Sequence, residues 1–365
     1  MQLTVARLLC ASLAAVLGSA TLPAALADSI DRGAPLAVEG RFFGKQPRGV
    51  SGMACLGSSA DSQRQCLVVN DEERAAEVAV LAGDRLRPMG RAVPLIGKDE
   101  ASQPILGARP VVACPDGAGK FNEADGEGIA RAGGYLYVVG SHSCTGGGKF
   151  KASSYLVSRI GLAGETIPDS PSIERSWRLS DALAASLVKD AFGKEKASGT
   201  NIEGLAVIGD TLYAGLRTPL LPRPGAADGA RDAVIIPVSV SALFAPGGAK
   251  LAGAMPAPIR LDLGPDAGIR DLAALANGEL LVLAGPTLEQ AGVPYALRLL
   301  RQVDGAWTIG KAMPVGSAAK SAKGETAKAE TVVILAESAE KLTVLVLYDN
   351  VDEAAPTRHE IILKP

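Results

Sequence analysis

Residues 125–143, DGEGIARAGGYLYVVGSHS, and residues 201–219, NIEGLAVIGDTLYAGLRTP, repeat one pattern. In each, a Glu-Gly pair opens a short apolar run, a glycine-containing turn follows, and a second apolar run ends on a polar cluster. Glu127 stands nine residues before Leu136, and Glu203 nine before Leu212. A third copy, GIRDLAALANGELLVLAGPT (268–287), keeps that spacing between Asp271 and Leu280. Two weaker copies are AKAETVVILAESAEKLTVLVLYDN (327–350), with Glu330 in the acidic place, and GVSGMACLGSSADSQRQCLVVNDEE (49–73), where Ser51 or Gly52 replaces the acid.

Gly and Asn at the turns supply the positive φ of a tight hairpin. Runs that are apolar on both faces suit strands sandwiched between neighbouring sheets. The unit is therefore a three- or four-stranded antiparallel sheet recurring every sixty to seventy-five residues or so. Repetition of such sheets predicts an all-β fold, a β-propeller around a central channel. Five blade starts are visible, near Ser51, Asp125, Asn201, Ile269 and Lys328; a sixth blade fits only if a degenerate one lies within residues 75–115. An irregular two-sheet sandwich is the competing fold, and the shared spacing disfavours it. LAVEGRFFG (36–44) and RHEIILKP (358–365) are expected to close the ring jointly, and DALAASLVKDAFGKE (181–195) to form an amphipathic helix on a connecting loop.

The first 27 residues carry one charge, Arg7, then an apolar run from Leu8 to Leu17 and the sequence Ala25-Leu26-Ala27. That is the pattern of a secretory signal, so a single propeller domain over residues 28–365, periplasmic or secreted, is expected. No later apolar run is long enough to span a membrane. Export suits the four cysteines left after Cys10, which allow three disulfide connectivities. Cys55 and Cys66 flank one hairpin turn, and Cys114 and Cys144 bracket the second blade's hairpin, which favours Cys55–Cys66 and Cys114–Cys144. A net charge of −2 and only 4% aromatic residues offer neither the basic field nor the stacking platforms of a nucleic-acid binder.

In an antiparallel hairpin the start of the first strand and the end of the second share one edge. Glu127, Glu203, Asp271 and Glu330 begin first strands; Asn70-Asp71, Ser141-His142-Ser143, Arg217-Thr218 and Asp349-Asn350 end second strands. All are expected around one mouth of the channel. Clustered carboxylates suit a divalent cation, most naturally Ca²⁺, with Glu127, Glu203 and Asp271 as ligands. His142, Arg217 and Arg270 could hold a small anionic or ester-type ligand, with His142 as general acid or base. A mouth of acids that merely pair with neighbouring arginines or accept backbone N–H groups is the plainer expectation for any one of them.

The sequence lacks a GxSxG elbow, an HExxH pair and a phosphate loop, and two histidines are too few for a multi-histidine zinc site. Ser186–Lys189 and Ser317–Lys320 match SxxK by chance in a chain this rich in Ala, Ser and Lys. The motifs DGEGIA…LYVVGSHS, NIEGLAV…LYAGLRTPLL and GIRDLAAL together resemble the bacterial domain of unknown function 3616 family, over roughly Gly49 to Lys364. That family is similar to exported propellers with phytase-like esterase domains. The resemblance implies a propeller and the importance of Glu127, His142, Glu203, Arg217, Arg270 and Asp271, and it implies no established reaction. Two functions follow as expectations: a cation-assisted hydrolase of a phosphoester, ester or lactone, or a non-catalytic ligand- or protein-binding propeller of the cell envelope.

Overall fold

Each repeat folds as the innermost hairpin of a separate antiparallel sheet. The computed structural model describes residues 28–44, 50–115, 121–195, 198–226, 228–253, 255–316, 327–351 and 354–364. The expected signal segment and Ser317–Lys320 lie outside the described residues.

Five sheets form five blades. Their innermost strands are Gly52–Cys55, Gly126–Ala132, Asn201–Ile208, Ala267–Ala274 and Lys328–Glu337, each paired with the strand that follows it. These five strands touch in the order 1–2–3–4–5–1, which closes the ring. The region 75–115 holds no sixth blade: Ala75–Ala82 and Arg85–Pro94 are the outer strands of blade 1. SYLVSRIGL, DAVIIPVSV and YALRLLRQV supply the third strands Val157–Gly161, Arg231–Ser239 and Ala296–Val303.

The N-terminal segment straddles the closure. Ser29–Ile30 and Ala34–Pro35 pair with the C-terminal strand Thr357–Ile362 of blade 5, while Ala37–Val38 pairs with Arg85–Leu86 of blade 1. The expected helix is shorter than its pattern: it runs Arg178–Ala185, and the chain continues from Ser186 in turns.

The core is divided in the same fivefold way. Five buried apolar clusters each lie between two adjacent blades, such as Leu67, Val69, Ile129 and Leu136 between blades 1 and 2. This is why both faces of each strand are apolar: each sheet has a neighbour on either side. Both favoured disulfides are present. Cys55 and Cys66 are directly opposed cross-strand partners, and Cys114–Cys144 ties the chain before blade 2 to the end of its hairpin.

Candidate functional site: the charged mouth of the channel

Four β-bulges build the mouth. On the inner strands of blades 2, 3, 4 and 5 the register slips by one residue, leaving Glu127, Glu203, Arg270 and Glu330 as the extra residue. A bulge bends its strand and re-aims the side chain it carries. In blade 1 the pairing begins at Gly52 opposite Val69, and Ser51 donates its N–H to the same Val69 carbonyl at 3.0 Å, so an uncharged serine stands where the other four blades carry a charge.

The residue after the bulge explains the Glu-Gly signature. A Cβ at Gly128 would lie 2.7 Å from the Glu203 carbonyl oxygen, and one at Gly52 2.7 Å from that of Glu127. A Cβ at Gly204 would come within 2.9 Å of Ile269 and Leu272. Glutamate supplies the charge at the mouth, and glycine lets the next blade approach.

Glu203 is the hub of the charges. Its Oε1 accepts from Arg217 Nη1 at 2.8 Å and from Asn201 Nδ2 at 2.9 Å, while its Oε2 lies 3.1 Å from Arg270 Nη1. Arg270 also pairs with Glu330 of blade 5, and Arg217 Nε donates to the Thr287 carbonyl at 2.7 Å. Glu127 is near enough for its charge to act on both arginines. Burial pulls the Arg270 guanidinium below its ordinary value, against the field of Glu203. At Arg217 burial acts the same way but is outweighed by Glu203 and its hydrogen bond, so that guanidinium is held above its ordinary value. Burial pushes the Tyr295 phenol up, with both arginines opposing, and its ring packs over Gly285.

The cluster holds three glutamates and two arginines, one formal negative charge in excess. The Arg270 side chain is 1% exposed, whereas Arg217 and Glu330 keep 18% and 12%. Arg217 and Glu330 are therefore the members a ligand would touch first.

Asp271 lies one position beyond the bulge, and although the charge of Glu203 still reaches it, its carboxyl is taken up by backbone amides. The blade 4 turn, Ala276-Asn277-Gly278, is one residue longer than the Gly133-Gly134 and Gly209-Asp210 turns, so nine residues back from Leu280 falls one position beyond the bulge. Arg270 is the counterpart of Glu127 and Glu203, and Asp271 the counterpart of Gly128 and Gly204. A one-residue slip sends a strand's side chains to the other face. The Asp271 carboxyl accepts from its own strand's Leu272 N–H at 2.8 Å, from Val332 N–H of blade 5 at 2.8 Å, and from Leu205 N–H of blade 3. Burial pushes it well above the usual carboxylate range despite those three donors. Three of the acceptor sites of this carboxyl are thus already filled by backbone amides.

His142 is also placed away from a ligand's reach, with no exposed surface. Its Nδ1 lies 2.9 Å from the Gly140 carbonyl, its ring packs on Tyr155, and Nε2 is buried with no hydrogen-bond partner among the described residues. Burial lowers it to about 4, with Gly140 and Asp125 opposing, so the ring is a neutral imidazole at pH 7. Beside it the Ser141 hydroxyl bonds Asp125, and Lys151 pairs with Glu123 and lies 3.5 Å from Asp125. Among the described residues, no three His, Cys, Asp or Glu side chains are grouped so as to hold a metal ion. Sequence reasoning missed Asn201, Tyr295 and Thr287. Only Asn201, two residues before Glu203 on the same strand, carried a positional signal.

The sequence pattern of one protein family, described as "Protein of unknown function (DUF3616)", matches residues 105–154 and 179–364. The chain belongs to the DUF3616 family. The matched DUF3616 segments contain all four bulge residues and Asp271, and they begin after blade 1. No curated protein matches the sequence. Among solved structures, a hypothetical protein from Leishmania major is similar at 11% identity, covering 92% of this chain and 90% of the other, with a TM-score of 0.42. A GH43 β-1,3-galactosidase shows 8% identity and a TM-score of 0.45, over 91% of this chain and 60% of its own length. The α-L-arabinanase of Penicillium chrysogenum shows 9% identity and a TM-score of 0.36, over 92% of this chain and 86% of its own. Among the described residues of this DUF3616 chain, no helix is long and apolar enough to cross a membrane.

Proposed function

We propose that this chain is a non-catalytic ligand-binding propeller of the cell envelope, and that its charged mouth holds a small hydroxyl-bearing molecule. The observation that carries this reading is the double clamp of Arg217 and Arg270 on Glu203. Held in place before a ligand arrives, the two arginines lose little freedom on binding, and preorganised donors are the efficient ones. Arg217 and Glu330, the more exposed members of the cluster, offer a donor and an acceptor. The excess negative charge disfavours a multiply charged anion such as phosphate, which would also have to be desolvated. Two cross-linked cysteine pairs support an oxidising location.

A cation-assisted hydrolase draws less support from this geometry. A divalent ion at Glu203 would displace two arginines, and His142 is sealed from the mouth.

The test is thermal melting of the purified mature chain with a panel of monosaccharides and polyols, beside inorganic phosphate, Ca²⁺ and a chelator. A hydroxylated ligand at a hundred times its Kd should raise Tm by about 4 °C for a domain of this size. Arg217→Ala should abolish the rise. Stabilisation by Ca²⁺ that a chelator reverses, with turnover of an ester, would overturn the reading in favour of the hydrolase.

A further inference from the structure

The opposite end of the channel is open. A cavity of about 580 Å³ enters from the hairpin-turn face and is walled by the later halves of all five inner strands, with Arg64, Arg131 and Glu337 among its lining residues. Its volume is that of a small-molecule site.

The wall has a distinctive chemistry. The inner strand of every blade is an edge strand, so alternate residues turn backbone N–H and C=O groups away from the sheet and toward the axis. Asp271 shows what these edges bind, since its carboxyl oxygens accept the N–H groups of Leu205, Leu272 and Val332 from three blades. At the turn face two more carboxylates do the same. Glu337 accepts from Ala276 N–H at 3.0 Å, and Glu165 from Gly57 N–H at 2.7 Å.

Between these levels lies one tier of edge amides. Two residues on from Leu205, Leu272 and Val332, the strand alternation brings Val207, Ala274 and Ile334 to the axis, with Cys55 and Arg131 their counterparts in blades 1 and 2. The pairing agrees: Leu56 and Leu275, the next residues after Cys55 and Ala274, donate back into their own sheets. All five tier residues line the cavity. Two arginines stand at this level, one of them the tier residue Arg131 itself. Arg64 donates to the Leu335 carbonyl at 2.9 Å, and Arg131 pairs with Glu165.

We propose that this cavity is a second binding site, and that it takes a small monocarboxylic acid. The ligand's carboxylate would accept N–H groups of the middle tier as Asp271 does one level above, with Arg64 supplying the countercharge. Its short apolar tail would lie along Ala273, Ile208 and Ala336, which line the same cavity. The open cavity spares the ligand the complete burial that raises Asp271.

The experiment uses hexanoate as probe and hexanamide, its neutral isostere, as control on the full mature chain. Titration into ¹⁵N-labelled protein should shift the amide signals of Val207, Ala274 and Ile334 with hexanoate. Calorimetry should show hexanoate binding about tenfold more tightly than hexanamide, and Arg64→Gln losing about tenfold, the worth of one charge-assisted hydrogen bond. Arg217→Ala, at the other end of the channel, should leave hexanoate affinity within about twofold, so this proposal and the reading of the mouth fail separately. Equal affinity for acid and amide would overturn it, as would amide shifts confined to the mouth or no binding at all. The amide shifts need no variant, so misfolding of Arg64→Gln would not leave the question open.

Discussion

The two ends of the channel are made from the same five strands, yet one is filled with charge and the other is open. At the strand-start end, bulges swing Glu127, Glu203, Arg270 and Glu330 together, and ion pairs link blades 3, 4 and 5. At the turn end only the blade 5 strand slips again, at Leu335, and small and apolar residues such as Ala54, Ala130, Ala273 and Ala274 leave a cavity. The difference comes from one inserted charged residue on each of four strands. An ideal ladder would have sent alternate residues into the interblade cores, as it does for Leu205 and Leu272. The bulge instead gives a charged side chain a route to the mouth while its neighbours stay buried.

The contrast can be broken by mutation, and the largest effects belong to the filled end. Arg270→Ala strands Glu203 and Glu330 with less compensation and should cost about 3–5 kcal/mol in urea denaturation. Asp271→Ala leaves three edge amides without their acceptor and should cost about 3 kcal/mol by the same measurement. His142 gives a pH signature. Its folded value is about 4 against an ordinary 6.5, so the unfolded chain takes up the proton first as the pH falls. Its contribution is complete above pH 6.5 and is lost as the pH drops toward 4, about 3 kcal/mol in all, and His142→Gln should flatten that part of the stability profile. Arg217→Ala, with part of its side chain in water, should cost about 1 kcal/mol while removing ligand stabilisation at the mouth. Glu337→Gln at the open end should change stability by less than about 0.5 kcal/mol.

The blades were legible because the hairpin pattern is local: a turn flanked by two apolar runs is written in contiguous residues. Even the crowding that requires Gly52, Gly128 and Gly204 left its trace as a repeated glycine. The site was legible only in part. Glu127 and Glu203 were found by counting from the second strand, and that count assumes equal turns. In blade 4 the extra turn residue shifted it, so Asp271 was read as the acid of the ring and Arg270 as its neighbour. His142 looked available because its own stretch is polar. What seals it is non-local: Tyr155 covers its ring, and Thr200 of the next blade donates to its carbonyl at 2.8 Å. Burial of that kind is a property of the assembled ring and leaves no spacing to count.

Arg270, carried on the blade 4 bulge, completes the mouth with Glu203. Two double-mutant cycles test it, Glu203→Gln with Arg270→Met and Glu203→Gln with Asp271→Asn, each read by urea denaturation. A coupling of about 2 kcal/mol for Glu203 with Arg270, and less than about 0.5 kcal/mol for Glu203 with Asp271, is the predicted result. Strong coupling of Glu203 to Asp271 with none to Arg270 would contradict it, and would restore the carboxylate ring that the repeat spacing first suggested.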